Sequence, residues 1–175
     1  MRALASAAAL CLLAAGLAGC AEGGGIRPLY GTAAGQGTVD ALRHVDVVST
    51  GRIGQVIRNE LVFGFYGGSG EATSPVRWRL DVSTATADTA VGIDRYSNLA
   101  SAYLDQVSAS WILTEVATGR TLTSGTSFAN AAYDSSQQRF AGLRAKRDAE
   151  NRAALTVASD IRNKVAVWFA ANPRP

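Results

Sequence analysis

Residues 76–87 alternate strictly, with Trp78, Leu80 and Val82 on one side and Arg77, Arg79 and Asp81 on the other. Successive side chains of an extended strand point to opposite faces, so this run is a strand with one face buried and one in contact with water. Such a strand commits the chain to a sheet with a single apolar face, and some other element must cover that face. Residues 103–116 repeat the pattern: Val107, Ala109, Trp111 and Leu113 share one face, with Ser108, Ser110 and Thr114 opposite. Ala117-Thr118-Gly119-Arg120 is a turn, and residues 120–133 return as the hairpin partner. Residues 42–49 read as a shorter strand, with Val45 and Val47 on one face and His44 and Asp46 on the other. Residues 88–102 carry weak patterning and read as a loop with strand extensions.

Two amphipathic helices supply the cover. After Thr50, a candidate N-cap, Ile53, Val56, Ile57, Glu60 and Leu61 recur at spacings of three and four, and Gly64, Gly67 and Gly68 end the run. Residues 137–170 form a second, longer helix. Phe140, Leu143, Ala154, Val157, Ala158, Ile161, Val165 and Trp168 lie on one side, and Ser135 with Gln138 offers a capping box. Asp148 with Arg152 and Asp160 with Lys164 are i,i+4 ion pairs on its exposed side. The order β-α-β-β-β-α predicts an α+β two-layer sandwich: a four-stranded, mostly antiparallel sheet with two helices packed on one face. Residues 32–38 are Gly/Ala-rich and read as loop. No repeat and no domain boundary interrupts residues 26–175, which form a single domain.

The chain opens differently. Met1-Arg2 is followed by small apolar residues through Leu17, too short for a bilayer-spanning helix and typical of a secretory signal. Leu17-Ala18-Gly19-Cys20 fits the lipobox at which a bacterial lipoprotein signal is cut, which makes residues 1–19 the signal peptide and Cys20 the first mature residue. N-acyl (palmitate-type) and diacylglycerol lipid on Cys20 would anchor the protein, each buried methylene contributing about 0.8 kcal/mol. Residues 20–25 then serve as the lipidated start and a Gly-rich tether. With Cys11 removed and Cys20 acylated, no thiol remains for a disulfide.

Composition argues against several function classes. A net charge of +3 spread along the chain does not call for a nucleic-acid partner. One histidine and no free thiol leave only oxygen ligands for a metal, and no spaced Asp motif provides them. His44 lacks a nucleophile elbow to work with, Asp81, Asp88, Asp94 and Asp105 show no acid/base patterning, and Gly67-Gly68-Ser69-Gly70 is not a phosphate loop. The expectation is a protein that is not an enzyme and takes no cofactor beyond its covalent lipid. Charge is nonetheless uneven: residues 137–171 hold seven basic and three acidic groups, whereas residues 20–136 hold eight and eleven. Arg77, Arg79, Arg95 and Arg120 are candidate contacts for phosphate-bearing lipid, because the guanidinium fork binds phosphate bidentately.

Four segments carry a family likeness. The lipobox is followed by Ile26-Arg27-Pro28-Leu29-Tyr30-Gly31, then by Arg52-Ile53-Gly54-Gln55-Val56-Ile57-Arg58-Asn59-Glu60-Leu61. Tyr133-Asp134-Ser135-Ser136-Gln137-Gln138-Arg139-Phe140-Ala141 then runs into Arg147-Asp148-Ala149-Glu150-Asn151-Arg152-Ala153-Ala154. In this order they resemble the lipopolysaccharide-assembly lipoprotein LptE family in its alphaproteobacterial branch, over nearly the whole mature chain. Glu22-Gly23-Gly24-Gly25 departs from the compact Cys-Gly-Phe-type start of that family and lengthens the tether. The resemblance implies helices packed on a four-stranded sheet and a seat inside an LptD-like outer-membrane β-barrel. It also implies binding of lipopolysaccharide on its way to the outer leaflet and an anchor in the inner leaflet of the outer membrane. The alternative is an accessory lipoprotein of an envelope ABC-type lipid transport system.

Overall fold

The computed structural model describes residues 33–68, 70–93, 95, 100–134 and 138–172. The signal peptide, Cys20, the tether, the extended segment 26–31, Asp94 and Ser135 of the capping box lie outside the described residues. The elements run α1 (Ala33–Arg43), β1 (Val45–Ser49), α2 (Gly51–Tyr66), β2 (Trp78–Ile93), β3 (Ala100–Glu115), β4 (Thr121–Asp134) and α3 (Arg139–Ala171). The sheet order is β1-β2-β3-β4, with β1 parallel to β2 and the other pairs antiparallel. The fold is the expected α+β sandwich, with one helix more than the sequence suggested.

The period of two places the core. Leu80 lies opposite Leu113, Val82 opposite Trp111 and Val107 opposite Ala129, all on one face and all buried. Burying a leucine of this kind contributes about 2 kcal/mol. Over this face α2 crosses β1 and β2, α3 crosses β3 and β4, and α1 packs on both helices. Phe169 meets the Trp78 ring edge-on at 4.8 Å. Alanines at 149, 153, 154, 158 and 166 line the buried stripe of α3, so its axis can lie close to the strands. Gly64 does not end α2; a Cβ there would stand 2.7 Å from Arg162 Cδ, so its absence lets the Arg162 stem cross between the helices. The stop is Gly67, left-handed at φ 66°, whose N–H donates to the Phe63 carbonyl. At the other end Thr50 occupies the N-cap position without a side-chain cap bond, and Gly51 at φ 78° turns the chain out of β1.

Residues 33–43 are helical rather than loop and strand. Gly35 and Gly37 lower intrinsic helix propensity, but Gly35, Thr38 and Leu42 form a buried stripe at spacings of three and four that packing holds in place. Residues 88–93 and 100–102 belong to the β2–β3 hairpin rather than to a loop. Their patterning is weak because residues 85–91 of β2 are exposed on both faces, so the ladder rather than a core sustains them. Phe140 and Leu143, expected on the buried side of α3, are 82% and 54% exposed, because that part of the helix lies beyond the packed core.

Candidate functional site: the uncovered sheet face

Below the helices, β2, β3 and β4 present a second face with no covering element among the described residues. Arg79, Asp81, Ser83, Ala85, Ala87 and Thr89 lie beside Gln106, Ser108, Ser110 and Ile112, which lie beside Ser124, Thr126, Phe128, Asn130 and Ala132. Strands of 14 to 16 residues make this surface long, about 50 Å by the rise of a strand. It is largely hydroxyl and small-residue surface, with Phe128 projecting at 68% exposure.

The four arginines do not form one site. Arg77 precedes β2 and stacks over the Trp78 ring at 4.4 Å. Arg79 stands on the free face, 3.8 Å from Asp46, and Arg120 lies in the β3–β4 turn, 3.7 Å from Glu115. A ladder bond from Val116 N–H to the Arg77 carbonyl holds these three arginines at one end of the sheet. Arg95 is exposed beyond the last residue of β2, at the opposite end. Arg77, Arg79 and Arg120 therefore share an end of the sheet but each has a different partner, Trp78, Asp46 and Glu115 respectively, and Arg95 stands apart from them.

His44 is not an outward strand residue. It sits in the turn between α1 and β1, and its Nδ1 lies 2.9 Å from the Thr73 carbonyl and 3.0 Å from that of Pro75. With two acceptors facing it, Nδ1 carries the proton and donates, which fastens the loop between α2 and β2 to the start of the sheet. Tyr66 works alongside: its hydroxyl donates to the Val45 carbonyl, and burial, then Asp46, pushes the phenol up to about 12. Among the described residues no cluster of three or more His, Cys, Asp or Glu could hold a metal, and no helix is long and apolar enough to cross a membrane.

Sequence reasoning missed a polar network on the covered face. Asp105 is wholly buried directly opposite Asp88, and Asp88 pairs with Lys146 of α3. Arg52 of α2 pairs with Glu150 and donates to Asn151, tying the two helices together. Burial first, then the Asp88 carboxyl, raises Asp105 to about 6, while Lys146 and Arg52 oppose the rise. On the β4 side, burial pushes Asp160 up, but Lys164 and the buried Ser127 hydroxyl bring it below the usual carboxylate range. An apolar groove of about 600 Å³ opens beside Trp111, Gly125, Val167 and Trp168. Apart from the i,i+4 pair of Asp160 with Lys164, no periodicity signals these features, since each joins residues far apart in the chain.

No known protein family and no curated protein matches the sequence. Solved structures do. A candidate lipoprotein of Caulobacter crescentus CB15 superposes with a TM-score of 0.62 at 25% identity, over 77% of this chain and 97% of that one. Rare lipoprotein B of Shewanella oneidensis gives 0.55 at 10% identity, over 73% and 97%. A minor lipoprotein of Acinetobacter baumannii gives 0.50 at 12% identity, over 73% and 92%. The domain thus has a fold shared by lipoproteins of three bacteria, in keeping with an envelope lipoprotein.

Proposed function

We propose that this chain is an outer-membrane lipoprotein, anchored through Cys20, that plugs and helps to assemble an LptD-type β-barrel. It would bind lipopolysaccharide there and aid its insertion into the outer leaflet. The observation that carries this reading is the uncovered sheet face. A face of Ser, Thr, Asn and Ala this long is a poor lipid surface, yet it matches the polar interior of a large barrel. The lipobox and the ordered segments that resemble the LptE family support the same reading, as does the shared lipoprotein fold. Arg77, Arg79 and Arg120 at one end of the sheet suit lipid phosphate, as guanidinium groups do. Nothing in the reading requires the chain to catalyse a reaction or to carry a cofactor.

Native membranes extracted in mild detergent provide the test. The full lipoprotein is expected to elute with a large β-barrel, and its depletion to strip lipopolysaccharide from the cell surface. Ser110→Tyr combined with Thr126→Arg on the uncovered face should abolish co-elution while leaving the melting temperature unchanged. Co-purification with an ABC-type ATPase instead of a barrel, or a monomeric isolate with normal surface lipopolysaccharide, overturns the reading.

A further inference from the structure

The two edges of the sheet are finished differently. On β4, Lys164 Nζ donates to the Thr126 carbonyl at 2.8 Å, and an Arg152 guanidinium nitrogen donates to the Ala132 carbonyl at 2.9 Å. Cations seated on edge carbonyls block the approach of another strand. On the opposite edge, β1 pairs with β2 only from Trp78 to Val82. That ladder closes where Ser49 Oγ donates to the Val82 carbonyl at 2.8 Å. Backbone groups of successive strand residues point alternately to the two edges. Since the Val82 carbonyl faces β1, the N–H and C=O of Thr84, Thr86, Asp88 and Ala90 face the same way. Among the described residues, no strand pairs with them.

This bare edge runs beside a wall. Since α2 starts at Gly51, level with the end of β1, the N-terminal half of α3 is the helix that stands beside β2 beyond that point. A groove of about 460 Å³ remains, bounded by Arg52 and Ile53 of α2, Thr84 and Thr86 of β2, and Leu143 and Arg147 of α3. An open strand edge facing a helix is the geometry by which extended peptides are captured as an added strand. The lining carries three cationic side chains, Arg52, Lys146 and Arg147, against the single carboxylate of Glu150. Arg52 is paired with Glu150 and Lys146 with Asp88, while Arg147 is exposed and makes no ion pair among the described residues. The half-exposed Leu143 leaves apolar surface for a side chain between those charges.

We propose that residues 84–90 of β2, walled by the N-terminal half of α3, accept an extended acidic segment of a partner protein as a fifth strand. Backbone bonds to the even-numbered residues supply the affinity. Carboxylates that meet Arg147, with an apolar side chain between them against Leu143, supply the selectivity. The register shifts between Ala90 and Ile93 limit the site at its upper end.

The test uses the full mature lipoprotein in detergent and three seven-residue peptides: alternating Glu and Val, alternating Lys and Val, and the Glu peptide N-methylated at every second residue. The Glu peptide is expected to slow amide exchange at Thr84, Thr86, Asp88 and Ala90 at least tenfold, leaving Ser83 and Ala85, which face β3, unchanged. The Lys peptide and the N-methylated peptide should bind at least tenfold more weakly. Thr86→Pro removes an N–H from the open edge without touching the β3 ladder, so it should abolish binding at an unchanged melting temperature. Arg147→Glu should weaken the Glu peptide at least tenfold. The N-methylated peptide keeps the test decisive if the proline variant does not fold. Equal binding by the Lys peptide, no binding at all, or protection confined to Thr126 and Asn130 on the outer β4 edge each overturns the proposal. So does an edge-to-edge dimer seen by sedimentation, which would assign the edge to a second copy. Barrel co-purification is read separately, so either idea can fail alone.

Discussion

Replacing Asp105 by Asn should stabilise this protein at neutral pH. Asp105 is wholly buried opposite Asp88, and no N–H or cationic donor reaches either of its carboxylate oxygens. Burial and the Asp88 carboxyl raise it from 3.8 to about 6, with Lys146 and Arg52 pulling the other way. Tyr133, stacked on Tyr103 at 5.4 Å on the same covered face, adds no cation. A rise of about two pH units corresponds to roughly 3 kcal/mol between the two protonation states. Because the carboxyl titrates higher in the folded than in the unfolded chain, its contribution is most favourable below 3.8. It declines as pH rises and is exhausted above about 6. The amide introduced by Asp105→Asn never ionises, so the variant should gain about 2–3 kcal/mol at pH 7.5 and nothing at pH 3.5. In melting temperature the gain at pH 7.5 is roughly 5–10 °C for a domain of this size. Urea titrations followed by tryptophan emission at pH 3.5, 5, 6 and 7.5 measure it directly. Asp88→Asn should lower the midpoint of the wild-type pH dependence by removing the second cause. An Asp105→Asn protein no more stable than its parent at pH 7.5, or a gain that does not shrink toward acid pH, refutes the reasoning.

Three further outcomes are expected. Gly125→Val places a Cβ at 2.8 Å from Trp111 Cζ2; it should lose about 1–3 kcal/mol by overpacking, read from the urea midpoint with a shift in tryptophan emission. His44→Ala removes the donor shared by the Thr73 and Pro75 carbonyls. It should lose about 1 kcal/mol and speed proteolytic cleavage between α2 and β2, as limited proteolysis with mass mapping would show. Lys164→Ala with Arg152→Ala uncovers the Thr126 and Ala132 carbonyls. Both cations are exposed, so stability should change by less than about 1 kcal/mol, while light scattering detects concentration-dependent association through the β4 edge.

Elements whose own residues alternate across a buried boundary were legible. Trp78, Leu80 and Val82 announce a strand because one face of it is in the core, and Ile53, Ile57 and Leu61 announce α2 for the same reason. The ion pairs Asp148–Arg152 and Asp160–Lys164 form at 2.8 and 2.7 Å because i,i+4 spacing on a helix brings the groups together locally. The upper half of the β2–β3 hairpin gave no such signal, because no core stands on either side of its β2 strand. Phe140 and Leu143 gave a false one: they keep the helical spacing of the buried stripe but lie past the core that would bury them.

By itself, then, the order of residues determined which stretches become strand or helix wherever water is excluded from one side only. Strand and helix periods of this kind are properties of near neighbours along the chain. Three-dimensional packing alone decided that residues 33–43 are helical, that Asp105 meets Asp88, and that three of the four candidate arginines share one end of the sheet. It also left one edge capped and the other bare. Each of these depends on groups far apart in sequence whose separation is set by how many residues each strand and helix spends crossing the sheet, and no local period records that length.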